Sequence, residues 1–151
     1  MKKLFIVLTL VAFSYNTNAW FGPDTQISTP QGYVPLSKLS TGDIVYAVDH
    51  DGSCVLSTIT HTHTKVVNSC CAIKTSKCTL LTTTDQKILT PSGWSTINSL
   101  KLNSIIYDAH SAAHQIKAIE YIHTQQTLYD ITVANHHTFL ATHDNLVVHN
   151  F

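Results

Sequence analysis

The chain has 151 residues, 44% hydrophobic and 12% charged, and its 9 Lys and Arg balance its 9 Asp and Glu. This neutral balance argues against nucleic acid or an anionic membrane as a partner, because both are bound through excess basic charge. After removal of the N-terminal segment described below, the length is that of one ordinary domain, and one core is expected.

Residues 1–19 have the organisation of a secretory signal peptide. Two lysines precede an apolar stretch from Leu4 to Phe13, and polar residues then lead to the small residue Ala19. A membrane anchor is the alternative, but a spanning helix needs roughly twenty apolar residues. We predict cleavage after Ala19 and export to an extracellular or periplasmic compartment. The mature domain, residues 20–151, is expected to be free of the membrane.

Short strand-like runs separated by turn residues fill the mature sequence, which is rich in Thr, Ser, Val and Ile. This composition predicts an all-β domain. The predicted strands are Tyr33–Leu36, Ile44–Val48, Val55–Val67, Thr79–Thr84, Ile105–Tyr107, Ala118–His123 and Thr127–Val133.

Two segments have similar sequences. Gly32 to Tyr46 and Gly93 to Tyr107 each run Gly-aromatic, then an apolar-x-x-Leu turn, then a strand that ends in Tyr. Within them, Leu36–Leu39 and Ile97–Leu100 are each predicted to form a single helical turn. A repeated unit predicts an internal pseudo-twofold arrangement, with chance similarity as the alternative.

Four cysteines, Cys54, Cys70, Cys71 and Cys78, permit disulfides in an exported protein. Cys70 and Cys71 are adjacent, so in a strand they point to opposite faces and are not expected to pair with each other. A bridge from Cys54 or Cys78 to one of them, and buried free thiols, are both open. No pair of CxxC knuckles supports a zinc site.

The histidines raise the question of a metal site. His61 and His63 share one face of a strand, and His110 and His114 would share a face if they lay on a helix. Two ligands allow adventitious binding of a divalent metal but seldom form a dedicated site. The sequence therefore predicts no resident metal and no cofactor.

The chain ends in Val148-His149-Asn150-Phe151. An Asn can attack its own backbone carbonyl with its side-chain amide nitrogen, which forms a succinimide and releases the residue that follows. Because the leaving amine must be protonated, a neighbouring imidazole such as His149 suits the reaction. A His-Asn pair alone is weak evidence, since most such pairs lie in surface loops.

Three blocks of sequence combine into a more specific pattern. They are Trp20-Phe…Thr25-x-Ile-x-Thr…Gly42-Asp-Ile-Val, then Thr83-x-x-Gln86…Gly93-Trp, then Tyr129-Asp-x-x-Val…His137-x-Phe-x-Ala…Val148-His-Asn. In this order they resemble the motifs of the Hint (Hedgehog/intein) family of self-processing domains, and they span nearly all of the mature chain. The resemblance implies the compact all-β Hint horseshoe fold, in which a pseudo-twofold arrangement brings the two ends of the domain together.

The resemblance implies two chemical steps, and the first is disrupted here. In the family, a Cys or Ser at the first position attacks the preceding carbonyl, helped by the Thr and His of the middle block. Thr83 matches that Thr, but Trp20 stands at the nucleophile position and Gln86 at the His position. An indole cannot accept an acyl group, and a neutral amide cannot shuttle protons. We expect the N-terminal acyl shift to be inactive.

The residues of the second step are present. The resemblance implies that Asn150 cyclises, His149 polarises the scissile carbonyl and His137 protonates the leaving amine, with Asp130 also matching. A core imidazole and a turn anchor are the alternatives for His137 and Asp130. Phe151 stands where splicing needs a Cys, Ser or Thr, so splicing is excluded.

The predicted function is a single, autocatalytic cleavage of the chain's own polypeptide between Asn150 and Phe151, by a domain expected to be a monomer. The alternative is a catalytically inactive exported module that uses the same fold for binding. Cleavage would release only Phe151, so a relic and a partial product of a larger precursor are both open.

Overall fold

The computed structural model describes residues 20–149, and this part of the chain consists mainly of strands. Two 3-10 helices, Leu36–Lys38 and Ile97–Ser99, interrupt them. The predicted all-β class is confirmed. The predicted signal peptide, Asn150 and Phe151 lie outside the described residues. The strands are β1 (Gln26–Thr29), β2 (Gly32–Pro35), β3 (Ile44–Val48), β4 (Cys54–Val67), β5 (Cys70–Lys74), β6 (Thr79–Thr82), β7 (Lys87–Thr90), β8 (Gly93–Thr96), β9 (Ile105–Tyr107), β10 (Ala113–Gln115), β11 (Ala118–Ile122), β12 (Gln126–Val133), β13 (Thr138–Ala141) and β14 (Leu146–His149).

The largest sheet has six strands in the order β2-β1-β13-β14-β7-β8. The last hairpin of the described chain, β13–β14, lies at its centre, where β13 pairs with β1 and β14 pairs with β7. All of β13 is buried, as are the first three residues of β14. Continuous burial of this kind is typical of a strand covered on both faces. The C-terminal residues therefore complete the core.

The remaining strands form smaller sheets in the orders β12-β4-β3, β11-β5-β6 and β10-β9. The long strand β4 joins two partners, since its first half pairs with β3 and its second half with β12. The core lies between these sheets and the six-stranded one. Phe21 and Phe139 are fully buried there, with their rings edge to face and their centroids 5.6 Å apart.

The two similar segments have the same structure. In the β1–β2 hairpin Thr29 lies opposite Gly32, and in the β7–β8 hairpin Thr90 lies opposite Gly93. Each Thr hydroxyl donates a hydrogen bond to the Gly carbonyl, at 2.6 Å and 2.8 Å respectively. Each hairpin leads into one of the two 3-10 helices, at the positions predicted for the helical turns.

The correspondence continues beyond the hairpins. Gly42 and Asn103 both have left-handed backbone conformations, with φ of 94° and 71°. Their N–H groups donate to Ile59 O at 2.8 Å and to Ile116 O at 2.9 Å. A matching turn at both places requires a residue that tolerates positive φ, which Gly and Asn do best. The predicted pseudo-twofold arrangement is confirmed.

The tip of the central hairpin, residues 142–145, is attached to the β9–β10 hairpin through a histidine between two carboxylates. His114 Nε2 lies 2.9 Å from Asp108 Oδ2, and His114 Nδ1 lies 3.9 Å from Asp144 Oδ2. These side chains are only 9% to 11% exposed. His114 lies on β10, so the helical arrangement considered for His110 and His114 is not formed.

All four cysteines are free thiols, so the disulfide alternative is not realised. Cys70 and Cys71 are both buried although they are adjacent, so both faces of β5 are covered at this point. Within residues 20–149, no group of three or more His, Cys, Asp and Glu side chains is arranged to hold a metal ion. The same residues include no helix with the length and hydropathy of a membrane span.

Candidate active site

Trp20 lies beside Thr83, although the two are far apart in sequence. Phe21, which follows, exchanges backbone hydrogen bonds with Tyr129 in both directions, at 2.9 Å and 2.8 Å. The carbonyl oxygen of Trp20 accepts from Thr82 Oγ1 at 2.9 Å and from the Thr83 N–H at 3.2 Å. The first position of the domain and the Thr of the middle block are thus in direct contact, as the sequence resemblance implies.

The Trp20 indole is partly buried under side chains from β4. Lys65 Nζ lies 5.7 Å from the centroid of the ring, within range of a cation–π interaction. His63 meets the ring edge-on, with centroids 6.5 Å apart. His61 stacks on His63 with centroids 6.1 Å apart, so the pair shares a strand face as predicted. No sequence motif indicated the contact with Lys65.

Gln86 connects the Trp20 end of the site to the end of the described chain. Its backbone N–H donates to Thr83 O at 3.3 Å, and its side chain is 1% exposed. Its Nε2 donates to Lys87 O at 2.7 Å and to His149 O at 2.9 Å. A carbonyl oxygen only accepts hydrogen bonds, so these two contacts fix the orientation of the amide.

His149 projects from β14 against an indole. Its ring lies edge-on to Trp94 with centroids 4.8 Å apart. Burial, and to a lesser extent the charges of Lys87 and His137, lowers the pKa of His149 to about 4. At neutral pH the imidazole is therefore uncharged and still carries one N–H donor.

A cleft of ≈ 270 Å³ opens beside His149 and Trp94. Its walls come from four regions of the sequence, residues 48–50, 94, 135–138 and 149. The other lining residues are Val48, Asp49, His50, Asn135, His136 and Thr138.

His137 immediately precedes β13 and has a left-handed backbone, with φ of 53°. Its charge acts on His149, and the next residue, Thr138, lies directly opposite His149 in the β13–β14 ladder. The two imidazoles thus belong to one site.

Asp130 lies on the Trp20 side of the site. It is 1% exposed, sits opposite His63 in the β12–β4 ladder, and accepts the N–H of Ile131 at 2.7 Å. Its neighbour Tyr129 pairs with Phe21. This arrangement suits the alternative of a structural anchor as well as a role in the site.

Sequence reasoning missed two neighbours of His149. Lys87 pairs with it across the β14–β7 ladder and acts on its pKa, and Trp94 forms the wall of its cleft. The Gly-Trp at the end of the middle block was a signal for Trp94. Lys87 had no signal of its own, because its contact depends on the register between two distant strands.

No family model matches the chain, and no curated protein is similar to it in sequence. Solved structures are similar in fold. A bacterial intein-like domain from Clostridium thermocellum has a TM-score of 0.82 at 18% identity, covering 87% of this chain and 98% of that one.

Two inteins are also similar. A DnaB intein from Synechocystis sp. PCC 6803 has a TM-score of 0.77 at 19% identity, covering 88% of this chain and 99% of that one. The gp41-1 intein has a TM-score of 0.73 at 22% identity, covering 87% of this chain and 98% of that one. Together with the pseudo-twofold arrangement, these similarities show that the chain has the Hint fold of the inteins.

Proposed function

We propose that the chain is an intein-like self-processing domain that retains C-terminal cleavage and has lost the N-terminal acyl shift. The observation that carries this proposal is a continuous hydrogen-bonded path from Trp20 through Thr83 and Gln86 to the carbonyl of His149. It joins the positions that the sequence resemblance assigns to the two chemical steps.

The C-terminal step uses one nucleophile and two imidazoles. The side-chain nitrogen of Asn150 attacks its own backbone carbonyl carbon, the bond to the nitrogen of Phe151 breaks, and the attacking nitrogen loses a proton. Neutral His149 donates a hydrogen bond to the scissile carbonyl, and protonated His137 supplies the proton that the leaving amine needs. The products are a succinimide at residue 150 and a free amine.

The N-terminal step lacks both of its reacting groups. The Trp20 ring has no atom that can take an acyl group, and it is occupied by contacts with Lys65 and His63. Gln86 already uses its amide nitrogen on two carbonyls, and an amide does not titrate at ordinary pH. These contacts support the proposal that this step is inactive.

A reporter fused after Asn150 tests the proposal. We expect slow release of the reporter from the unmodified domain, because cyclisation needs only the Asn150 carboxamide and the nearby proton donors. Asn150→Ala removes the attacking nitrogen and should abolish release, as judged by intact mass and by gel. Equal release from both fusions would indicate a contaminating protease and contradict the mechanism.

A non-catalytic binding module is the second candidate, and the half-buried Trp20 under Lys65 favours it. An indole that is fixed by contacts at the nucleophile position suits a stable binding surface better than a catalytic centre. Absence of release from the unmodified fusion would support this candidate. In either case, we propose that the domain acts as an exported monomer, and in the first case its only substrate is its own polypeptide.

A further inference from the structure

We infer that Gln86 is a positioning residue for the C-terminal cleavage and acts through the backbone carbonyl of His149. This inference rests on the proposed function. Gln86 Nε2 lies 2.9 Å from that carbonyl oxygen, which belongs to the peptide plane leading into Asn150. Fixing this plane limits the rotations by which Asn150 approaches its own carbonyl carbon, and such restriction accelerates intramolecular attack.

The Gln86 side chain is held as a rigid donor. Its backbone N–H binds Thr83 O at 3.3 Å, and its backbone O accepts the N–H of Ile97 at 2.8 Å. The side chain is 1% exposed and bridges Lys87 O and His149 O. The Gln86 side chain therefore has little conformational entropy left to lose when it binds the His149 carbonyl, so this hydrogen bond holds the peptide plane effectively.

An amide suits this position better than an imidazole. A neutral imidazole offers one donor in total, whereas the amide nitrogen of Gln86 offers two. Both are used, on the carbonyls of β7 and β14. Within the described residues, Gln86 Oε1 is buried without a hydrogen-bond partner, which costs free energy. The two hydrogen bonds donated by Nε2 must stabilise the fold by more than this cost. The side chain that cannot shuttle a proton for the first step can therefore orient the backbone for the second.

The fusion with a reporter after Asn150 measures the effect on rate. Gln86→Met keeps the shape of the side chain and removes both donors, so release should slow by about tenfold or more. Gln26→Met is the matched control, because Gln26, a half-buried residue at the start of β1, also donates an amide N–H to a backbone carbonyl, that of Asp24. We expect the control to release at the unmodified rate. A Gln86→Met fusion that releases as fast as the control overturns the inference.

Gln86→Glu distinguishes positioning from general structural support. A protonated carboxyl donates one hydrogen bond, whereas a carboxylate repels the His149 carbonyl. Release should therefore be slow at neutral pH and should recover as the pH falls and the buried carboxyl takes up a proton. The unmodified fusion should not show this recovery. Identical pH profiles for the two fusions contradict the inference.

A measurement without cleavage separates the inference from the proposed function. In a fusion that carries Asn150→Ala, the amide of residue 150 shares its peptide plane with the His149 carbonyl. Its NMR order parameter should fall when Gln86→Met is added and stay unchanged with Gln26→Met. If the unmodified fusion releases no reporter, the proposed function fails. The comparison of order parameters then still tests, on its own, whether Gln86 holds the peptide plane between residues 149 and 150. An order parameter unaffected by Gln86→Met overturns the inference.

Discussion

The packing of His149 against Trp94 determines how its imidazole can act. Because the ring is neutral at physiological pH, it donates a hydrogen bond and does not supply a charge. We expect His149→Ala to slow release of a reporter fused after Asn150 by about a hundredfold or more, the usual contribution of one acid–base group. Its release rate is compared with that of His50→Ala, which alters the same cleft. Equal rates for the two variants would contradict a role for His149.

The acid side of the pH profile of release should reflect the lowered pKa of His149. The pKa of His149 is about 4 in the folded domain against an ordinary value of 6.5. Release should fall in acid as the pH passes through about 4, because His149 then gains a charge beside Lys87 and His137. An acid limb centred near 6.5 would show that His149 titrates as an ordinary imidazole.

The lowered pKa of His149 also makes the stability of the fold sensitive to acid. Since the folded-state pKa of His149 is below the unfolded value, the unfolded chain takes up a proton first as the pH falls. The stabilisation contributed by neutral His149 is fully present above pH 6.5 and is lost as the pH falls toward about 4.

Trp20 and Gln86 provide a test of the N-terminal step. Thiol reagents should not release a partner fused upstream of Trp20, because an indole forms no thioester. Trp20→Cys with Gln86→His should restore at least slow thiol-dependent release, since Thr83 is already in contact with residue 20. The release is followed by intact mass with Trp20→Ser and Gln86→His as the thiol-insensitive control. Thiol-dependent cleavage of the unmodified fusion would contradict our account of this step.

At the scale of elements, the sequence predicted what local patterns determine. The two 3-10 helices formed where apolar residues recur three apart, beginning at Leu36 and Ile97. Seven predicted strands are present as β2, β3, β4, β6, β9, β11 and β12. The other seven strands within residues 20–149, β1, β5, β7, β8, β10, β13 and β14, were not among the predicted strands. In β5, two adjacent cysteines interrupt the pattern. The partners of His114 were also missed, because they depend on how two hairpin tips meet.

The histidine between two carboxylates should stabilise the tip of the central hairpin. His114→Ala leaves the largely buried Asp108 carboxylate without its hydrogen bond to the imidazole and removes the ring that lies beside Asp144. We expect the free energy of unfolding to fall by roughly 1 to 3 kcal/mol, the usual cost of leaving a buried hydrogen-bonding group without its partner. Urea unfolding measures this change in free energy. His110→Ala is the control, because it removes an exposed histidine from the loop between β9 and β10. Equal stability of the two variants would show that the cluster contributes nothing.

Acid should weaken this cluster as well. Burial works to raise the pKa of Asp108, but hydrogen bonds from His114 and from the N–H groups of Ala112 and His110 hold it below its ordinary value of 3.8. The contribution of ionised Asp108 to stability is therefore present above pH 3.8. It is lost as the pH falls through the lower pKa that Asp108 has in the folded state.

At the scale of the whole molecule, the first prediction concerns where the mature chain begins. A basic start, a short apolar stretch and a small residue at Ala19 fit signal peptidase better than a membrane anchor. N-terminal sequencing of exported protein should read Trp20 first, and an Ala19→Arg variant should be processed poorly. Exported material that still begins at Met1 would contradict this prediction.

The sequence motifs named most of the residues that the structure brings together at the candidate site. Thr83 and Gln86 followed from one block, and His137 and His149 from another. The contact between Gln86 and the His149 carbonyl could not be predicted, because it requires the register of β14 on β7. The same holds for Lys65 over Trp20, which depends on how the long strand β4 passes the start of the domain.

The central position of β13 and β14 has a consequence for the time at which the domain can fold. A ribosome makes the chain from its first residue, so the β1–β2 and β7–β8 hairpins emerge before the two strands that join them. Until those strands follow, the nascent chain lacks the middle of its largest sheet and most of its buried C-terminal core. The six-stranded sheet can therefore close only once residues 138–149 have been made.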